Sequence, residues 1–540
     1  MVQTIKKTFS DFYNFIRSLD RLFWILTVIF AVIPALYFSY VPLWDGWEFL
    51  GCYVDSALTG SYWCFDHSAF AHMFIFSLIQ RIDLGNTKLI YTANILIGIA
   101  GILSMRALLT HLFGERLSPI NLTLLTFSFG LSPIYIVHAI QPSLDYTLPI
   151  FLVMLLLFLF QKRLILAAAV GILMVFTKES GFMLYGASVF LYLTLGVIKD
   201  PNQLKDKRRL LGEICILMVP IVLFIIYMLL VPATQIGDSW IDGIITMFRF
   251  YLLDKVILAQ LISVLVINFA WIMSVFILIG ISSQLVGYLG GRKNNNRLNT
   301  GFKSRYDQLY FYILFVAVIY FLTRIPFVNN PRYMLPVLPL LIIIFAASLL
   351  SVVRKQYLIT GILAILLILL TLSSFRTVDP VSKAAMGTFR FGSHKILQMT
   401  SYDQPFHAYG KDQLVYNFEF TNLHYITEKI FKEYGWQKVY AAAPGTAWGS
   451  NLNTFDTAAG RRAIFGKDVK TISFIYSNLI WEGAARPREI YYISYPNYDR
   501  FGINERERAR ISRIYDLTDK RTFDNGGYSI DVYNFVLKDN

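Results

Sequence analysis

The stretch LFWILTVIFAVIPALYFSYV, residues 22–41, followed at once by PLWDGWE, residues 42–48, decides what kind of protein this is. The first part contains no charged residue and is long enough to cross a bilayer core as a helix. Just beyond it lies Asp45, in the sequence Trp44-Asp45-Gly46. An ionised carboxylate at a membrane boundary is costly unless the protein uses it. Asp45 is therefore the first candidate for a functional residue.

The composition indicates a membrane protein. The chain has 540 residues, of which 56% are hydrophobic and 16% charged, and its mean hydropathy is +0.52. These values exclude an ordinary soluble domain and predict a polytopic α-helical membrane protein. The net charge of +14 does not indicate a nucleic-acid partner, because many of the Lys and Arg residues lie in short loops between apolar segments. Residues 1–21 are basic and aromatic and precede a long apolar run, which predicts an uncleaved first span.

Apolar segments of roughly 17 or more residues predict about 11 transmembrane helices. The fifth segment is short and the eighth is long, which allows a break or a merger at either place. Together the segments define a predicted transmembrane domain, residues 1–376. Their approximate positions are residues 22–41, 88–106, 119–137, 145–161, 163–178, 181–198, 210–231, 256–289, 308–324, 333–353 and 356–376.

The basic clusters predict the orientation of the chain. Lys and Arg gather before the first span and in every second loop after it, so all of these clusters lie on one side. That side is predicted to be the cytoplasm. The chain is then a multi-pass protein of the plasma (inner) membrane, with a cytoplasmic N-terminus and residues 377–540 outside. The unusual polar residues all fall on the outer face, which is the strongest argument from the residues themselves for a functional site there.

Residues 377–540 predict a soluble extracytoplasmic α/β domain. A helix-like run covers residues 422–431, and three segments rich in β-branched and aromatic residues read as strands, at residues 439–443, 489–495 and 528–537. No glycine-rich nucleotide-binding motif occurs in this part of the sequence. Two roles stay open for it, a lid or stabilising cap and a domain that recognises an acceptor.

The loop at residues 42–87 is too long for a turn and too apolar for a linker. Residues 47–58 and 68–82 have helix-like apolar spacing, which predicts two amphipathic helices on the outer membrane surface. Such helices would cover a cavity and hold polar side chains near its mouth, namely Asp45, Glu48, Asp55, Asp66 and His67. A general base must be a carboxylate or an imidazole held by rigid elements, and Asp45 fits because it directly follows a span. The alternative for Asp45 is a helix cap or a surface charge.

Two further polar sites interrupt the apolar chain at the outer face. Asp145 lies at the mouth of the fourth span in QPSLDY, residues 141–146, where a helix cap is the alternative interpretation. Lys178 and Glu179 follow the fifth span. They either pair with each other at a turn or supply a cation and a carboxylate to a site at the membrane edge.

Arginines flank the outer loop before the tenth span. Arg324 precedes the loop, and Arg332 with Tyr333 opens the span. The planar guanidinium binds phosphate oxygens bidentately, so these residues are candidates for holding a phosphate at the interface. Anchoring of the chain at the interface is the alternative.

The cysteines predict one disulfide and no metal site. Cys52 and Cys64 lie in the same outer loop, where a disulfide could form and stabilise the cover over the cavity. Cys215 lies inside an apolar run and reads as packing. His67 and His72 are poorly spaced for a metal and have no supporting ligands nearby.

Taken together, these residues resemble the glycosyltransferase C superfamily, in the branch that contains the protein O-mannosyltransferases and the lipid A aminoarabinose transferase. In that branch an acidic residue follows the first span, an aspartate begins the fourth, and a Thr-Lys-Glu turn follows the fifth. An Arg-Tyr-x-Leu-Pro-x-x-Pro run opens a late span. The matching positions are Asp45, Asp145, Thr177-Lys178-Glu179 and residues 332–339, RYMLPVLP.

The resemblance covers roughly residues 20–376 and has departures. A loop feature of an acidic residue, a basic residue, two prolines and a leucine is replaced by Asp66-His67-Ser68-Ala69-Phe70, which lacks both prolines. The Trp-Trp-Asp motif of oligosaccharyltransferases is absent, which argues against transfer of a whole oligosaccharide to asparagine.

The resemblance implies an inverting transfer of a hexose or pentose from a polyprenyl-monophosphate donor to an acceptor hydroxyl on a lipid, glycan or protein. Asp45 would be the catalytic base, and Asp145 would assist it or orient the acceptor. Cationic and phenolic side chains would bind the donor phosphate, namely Lys178, Arg324, Arg332 and Tyr333. Others would support the site, namely Glu48, Asp66, His67 and Glu179. The lipid-linked sugar is a substrate, and neither a cofactor nor a metal is expected.

Two other classes remain as rivals. A transporter or lipid flippase would share the many spans and the intramembrane charges, although transporters usually contain internal repeats and broken helices at the midplane. A non-catalytic assembly factor with an outer domain would give Asp45 and Arg332 no reason to lie close together.

Overall fold

The computed structural model describes a helical part and an α/β part. The described residues are 13–38, 42, 45–60, 62, 69–199, 207–230, 264–291, 312–320, 331–375, 382, 384, 390–391, 394–395, 414–443, 472–494, 503–525 and 527–539.

The described residues of the helical part include 13 α-helices, joined in places by short 3-10 or π-helical turns. They are α1 (Arg21–Leu36), α2 (Asp45–Thr59), α3 (Phe70–Gln80), α4 (Thr87–Phe113), α5 (Pro119–Gly130), α6 (Pro133–Ile136), α7 (Thr147–Phe160), α8 (Leu164–Val175), α9 (Glu179–Lys199), α10 (Lys207–Leu230), α11 (Trp271–Gly291), α12 (Leu338–Val352) and α13 (Gln356–Phe375). Residues 312–320 are also helical. The 3-10 turns are Val137–Ile140, Leu144–Tyr146 and Pro331–Val337, and the π-helical turn is Val264–Asn268.

Several of these helices fit a bilayer. Within the described ranges, four are long and apolar enough to cross a membrane, and a bent pair adds a fifth if it counts as one span. The chain is therefore a helical membrane protein. The number of 11 spans stays a prediction. In the long eighth segment, the π-helical turn Val264–Asn268 precedes α11, so the segment is interrupted before Trp271.

Prolines bend the predicted third span and end it before residue 141. α5 is bent by 58° relative to the segment Pro133–Ile140, which consists of α6 and the 3-10 turn that follows it. Ser132, which precedes Pro133, is extended, because the proline ring clashes with a helical residue before it. Gln141 precedes Pro142 and is extended for the same reason. The chain therefore leaves the helix and runs as a loop through residues 141–146.

The α/β part contains a five-stranded mixed sheet in the order β4-β3-β5-β7-β6. β3 is parallel to β4 and β5, whereas β7 is antiparallel to β5 and β6. The strands and helices of this part are β1 (Arg390–Phe391), β2 (His394–Lys395), α14 (Leu414–Tyr434), β3 (Val439–Ala442), β4 (Ser473–Tyr476), α15 (Ser477–Trp481), β5 (Glu489–Ser494), α16 (Ile503–Ile511), β6 (Tyr515–Asn525) and β7 (Tyr528–Leu537). The α/β fold and the strands β3, β5 and β7 were predicted from the sequence and are confirmed, whereas β4 and β6 were missed.

Helices cover both faces of the sheet. Ile426 and Phe431 of α14 share an apolar cluster with Tyr440, on one face. Ile480 of α15 and Ile511 of α16 pack in a second cluster, on the other face. α14 also contacts α13, so the α/β part lies against the helical part.

Candidate active site

Asp145 is the centre of a buried polar cluster in the helical part. Asp145 is 2% exposed and lies in the 3-10 turn Leu144–Tyr146, which leads into α7. Ser143 stabilises this turn, because its Oγ accepts a hydrogen bond from the Asp145 amide at 3.2 Å. The loop places a carboxylate among apolar helices, where an unpaired charge would be very costly.

Lys178 supplies the first partner of that carboxylate. Its Nζ donates to Asp145 Oδ1 at 2.7 Å, and the Lys178 side chain is only 8% exposed. Lys178 lies in the turn between α8 and α9, where the Gly181 amide donates to its carbonyl oxygen at 2.7 Å. Glycine is required here, since a Cβ at position 181 would lie 2.0 Å from the Met174 carbonyl oxygen.

Arg332 and Tyr333 complete the cluster. Arg332 Nε lies 3.7 Å from Asp145 Oδ2, and its Nη2 donates to Tyr333 Oη at 3.3 Å. The Tyr333 ring also faces the other cation, with Lys178 Nζ 4.6 Å from the ring centroid. Arg332 and Tyr333 both lie in the 3-10 turn Pro331–Val337, which leads into α12. Two cations thus contact one carboxylate, and one aromatic ring lies against both cations, an arrangement suited to receiving a second anion.

The loop that carries Asp145 is fixed to α4. Asn94 Nδ2 donates to the Gln141 carbonyl oxygen at 3.0 Å, and Tyr146 Oη donates to the Asn94 carbonyl oxygen at 3.2 Å. Tyr146 reaches this position because residue 98 is glycine, where a Cβ would lie 2.2 Å from its Oη. The turn is therefore held from both ends, and Asp145 has a defined position.

The first turn of α2 packs against the same loop. α2 begins at Asp45, and a Cβ on the next residue, Gly46, would lie 3.3 Å from Gln141 Oε1 and 3.4 Å from Pro142 Cδ. The Asp45 backbone is thus close to the loop that carries Asp145. The side chains of Asp45 and Glu48 lie outside what the structure describes, so their roles stay predictions.

Two histidines near Asp145 were missed as site residues. His138 is buried in the turn Val137–Ile140, close enough to the Asp145 carboxylate to interact with it electrostatically. His72 is buried in α3, with Nε2 2.7 Å from Tyr53 Oη and Nδ1 3.3 Å from Thr147 Oγ1. The available signal was that His72 interrupts the apolar run FAHMFIF, residues 70–76, with which α3 begins.

The structure brings together Asp145, Lys178, Arg332 and Tyr333. Lys178 was predicted either to pair with Glu179 or to supply a cation to a site at the membrane edge. Its ion pair with Asp145 agrees with the second interpretation. Glu179 is the first residue of α9 and is half-buried, near Tyr227. The predictions for Asp66, His67 and Arg324 lie outside the described residues.

The cysteines are described in part. Cys52 in α2 is disulfide-bonded, and Cys215 in α10 is free. Cys64, the predicted partner of Cys52, lies outside the described residues. The pairing itself therefore stays a prediction.

Comparison with known proteins identifies the fold. None of the family models and none of the curated proteins compared matches this sequence. The chain is similar to the solved structure of ArnT from Cupriavidus metallidurans bound to undecaprenyl phosphate, with 12% identity, a TM-score of 0.50, and coverage of 95% of this chain and 97% of that chain. The same protein in the apo state gives 13% identity, a TM-score of 0.47, and coverage of 94% and 97%. ArnT is a lipid A aminoarabinose transferase with a GT-C fold, so the predicted fold resemblance is confirmed.

Proposed function

We propose that this chain is an inverting glycosyltransferase that moves a sugar from a polyprenyl-monophosphate donor to an acceptor hydroxyl at the extracytoplasmic face of the membrane. The observation that carries the proposal is the cluster of Lys178, Arg332 and Tyr333 around Asp145. Lys and Arg are the side chains that most often bind phosphate oxygens in proteins. Here a buried carboxylate holds one of each in place.

The cationic cluster is the proposed site of the donor phosphate. Arg332 would bind two phosphate oxygens with its planar fork, Lys178 would act as a point charge, and the Tyr333 hydroxyl would donate a hydrogen bond. As the bond between the anomeric carbon and the phosphate oxygen breaks, negative charge grows on the phosphate. Cations already in place stabilise that charge without reorganising. Arg324 would assist from the neighbouring loop.

Asp45 is the proposed general base. It would accept the proton of the acceptor hydroxyl while the hydroxyl oxygen attacks the anomeric carbon from the side opposite the phosphate, which inverts the configuration. The packing of Gly46 on Gln141 and Pro142 supports this role, because it brings the start of α2 to the Asp145 loop. Such assistance contributes roughly 10²- to 10⁴-fold in rate. Placement of the two substrates must contribute the rest.

Asp145 has the proposed role of orienting the acceptor or assisting Asp45. Its contacts with both cations support a positioning function as well, since it sets the distance between them. Polar residues of the covering loop and the following turn would support the site, namely Glu48, Asp66, His67 and Glu179.

The proposed reaction needs no metal. A phosphate monoester that leaves against Lys and Arg side chains has its charge neutralised by them, so no divalent ion is required for that step. Transfer at an unchanged rate in EDTA would support this, whereas loss of transfer that Mg²⁺ or Mn²⁺ restores would contradict it.

The test is sugar transfer by the full chain in nanodiscs, with synthetic polyprenyl-phosphate sugars and EDTA present. Release of polyprenyl phosphate is measured for the wild type and for Asp45→Asn. Asp83→Asn is the matched control, because it makes the same chemical change at an exposed position. We expect turnover by the wild type and the control, and a loss of at least roughly 100-fold in Asp45→Asn. Equal turnover by all three would keep the enzyme class and reject Asp45 as the base.

A lipid transporter or flippase is the alternative, and the bent pair of α5 and α6 favours it, because broken helices are common in transporters. The two functions differ in product. A flippase would move a labelled polyprenyl-phosphate lipid across a vesicle bilayer without breaking its sugar–phosphate bond. Movement without cleavage by the wild type would replace the glycosyltransferase proposal.

A further inference from the structure

His72 connects three elements that surround the proposed site. It belongs to α3, its Nε2 lies 2.7 Å from Tyr53 Oη of α2, and its Nδ1 lies 3.3 Å from Thr147 Oγ1 at the start of α7. All three residues are at most 2% exposed. Thr147 comes two residues after Asp145, and Tyr53 lies on the helix that begins at Asp45. The imidazole therefore links the helix of the proposed base to the turn of the buried carboxylate.

The hydrogen bonds of this link have one consistent direction. Thr147 Oγ1 donates to the Leu144 carbonyl oxygen at 3.4 Å, so it is left to accept from His72. His72 Nδ1 then carries the proton, and Nε2 accepts from the Tyr53 hydroxyl. Both nitrogens of a neutral imidazole are satisfied in this arrangement. A satisfied polar chain inside an apolar cluster specifies one relative position of its elements, since any slip leaves a buried polar group without its partner.

Aromatic packing shields the link from water. Phe76 lies against His72 with ring centroids 4.5 Å apart, and it stacks on Tyr53 at 4.9 Å. The surrounding apolar cluster also contains Phe49 of α2 and Leu144 of the Asp145 turn. Because water cannot replace a lost partner here, the three hydrogen-bonding groups hold their positions more firmly than they would at a surface.

The start of α3 is also fixed to the other half of the cluster. The Ala71 amide, which has no partner within its own helix, donates to the Phe176 carbonyl oxygen at 2.9 Å. Phe176 lies two residues before Lys178. Two consecutive residues of α3 thus contact the segments that carry Lys178 and Asp145. His72 also bonds to Tyr53 of α2, on which Phe76 stacks.

We propose that His72 is a positioning residue that holds the helix beginning at Asp45 in register with the turn of Asp145. The inference rests on the proposed function for its catalytic consequence, but the positional claim concerns the fold alone. Without the link, the cations Lys178 and Arg332 keep their carboxylate, whereas α2 loses the hydrogen bond from Tyr53 to His72. Donor binding is therefore retained and the attack step is slowed. A displacement of about 1 Å can cost on the order of 100-fold in rate.

The test compares His72→Leu, His72→Gln and the control Leu78→Ala, which changes an exposed side chain on the same helix. We expect kcat to fall roughly 10- to 100-fold in His72→Leu, with the KM for the donor and the Kd for polyprenyl phosphate changed less than about threefold. His72→Gln should recover part of the rate, because its amide can bond to one or both partners. An equal loss in kcat and in polyprenyl phosphate affinity would place His72 at the donor site instead and overturn the proposal.

Hydrogen exchange of the full chain in nanodiscs tests the position independently of catalysis. Amides in the first turns of α2 should exchange faster in His72→Leu and in Tyr53→Phe, and at the wild-type rate in Leu78→Ala. Unchanged exchange in α2 would overturn the proposal whether or not transfer is detected. Wild-type chain that turns over no donor, together with faster exchange in His72→Leu, would reject the proposed function and leave the positioning role established.

Discussion

The ion pairs Lys178–Asp145 and Lys438–Glu489 have the same N–O distance of 2.7 Å and lie in different surroundings. The side chains of the first are 8% and 3% exposed, in the helical part. Those of the second are 40% and 33% exposed, on the sheet. Water screens the second pair and can replace either partner, whereas the buried charges of the first depend on neighbouring protein charges, which include Arg332. Burial, and not bond length, decides what such a pair does.

The largest effect is expected from Lys178→Met, which removes one partner of a buried carboxylate. Breaking a buried pair costs about 3–5 kcal/mol when the remaining charge is left uncompensated, and here Arg332, 3.7 Å from Asp145, offsets part of that cost. We expect a large drop in the midpoint of thermal unfolding in nanodiscs and loss of sugar transfer. The double variant Lys178→Met/Asp145→Asn should be more stable than Lys178→Met alone. A single variant as stable as the wild type would mean that the Asp145 charge is compensated by other groups.

A smaller effect is expected from Gly181→Ala, which moves Lys178 without changing it. The new Cβ would lie 2.0 Å from the Met174 carbonyl oxygen, so the turn must shift. We expect a loss of about 1–3 kcal/mol in stability. Transfer should also fall, since the ammonium leaves its position beside Asp145.

Gly186→Ala is the matched control for that turn. It lies on the same helix, α9, and a Cβ there meets nothing within 4 Å. Alanine is the better helix former, by up to about 1 kcal/mol, so this variant should be as stable as the wild type or slightly more stable. Equal destabilisation by both substitutions would show that the helix, and not the turn, responds to the added methyl group.

On the sheet, Lys438→Met breaks the exposed pair. Its expected cost is at most about 1 kcal/mol, because surface pairs contribute little. Sugar transfer should be unchanged, since the pair lies at the sheet of the α/β part, whereas the Asp145 cluster lies in the helical part. A loss comparable to that of Lys178→Met would remove the distinction between the two pairs.

The smallest effect concerns pH and the same exposed pair. The hydrogen bond from Lys438 lowers the pKa of Glu489 below its ordinary value of 4.5, and the same bond raises the pKa of Lys438 above 10.5. A lowered carboxyl pKa stabilises the fold above the ordinary value, and this contribution is lost as the pH falls through the lowered pKa. The raised pKa of Lys438 stabilises the fold below pH 10.5, and this stabilisation is lost as the pH rises through the raised pKa. The difference in unfolding midpoint between the wild type and Lys438→Met should therefore be present at neutral pH and vanish in acid. If the difference in unfolding midpoint persists in acid, its cause is the contact of Lys438 with the Tyr491 ring and not the ion pair.

Much of the candidate site was predictable because its residues stand out locally. Lys178 and Asp145 interrupt apolar segments, and Arg332 with Tyr333 opens one, so charge and span order alone indicated a common face. Their mutual contacts were not predictable, because the pattern around Lys178 fits a pair with Glu179 equally well. Only the bend after α5 brings the Asp145 turn to the Lys178 ammonium.

His72 and β6 were missed for opposite reasons. His72 stands alone in the apolar first two turns of α3, and its role depends on Tyr53 and Thr147, which are distant in the sequence. β6 has no alternation of polar and apolar residues, because it is the edge strand and carries charged side chains on its exposed surface. Charges on an edge strand prevent pairing with other chains, and they also hide the strand from a pattern search.

The sequence by itself determined that this protein lies in a membrane, where three strands of the sheet lie, and which charged residues are too costly to be incidental. These properties are sums over neighbouring residues, because transfer to a bilayer and side-chain periodicity act locally. Only the tertiary structure decided that Asp145 pairs with Lys178 and Arg332, and that His72 joins α2 to the turn before α7. Those pairings depend on distances between residues far apart in the chain, which are set by packing and by the proline-broken path of residues 131–146.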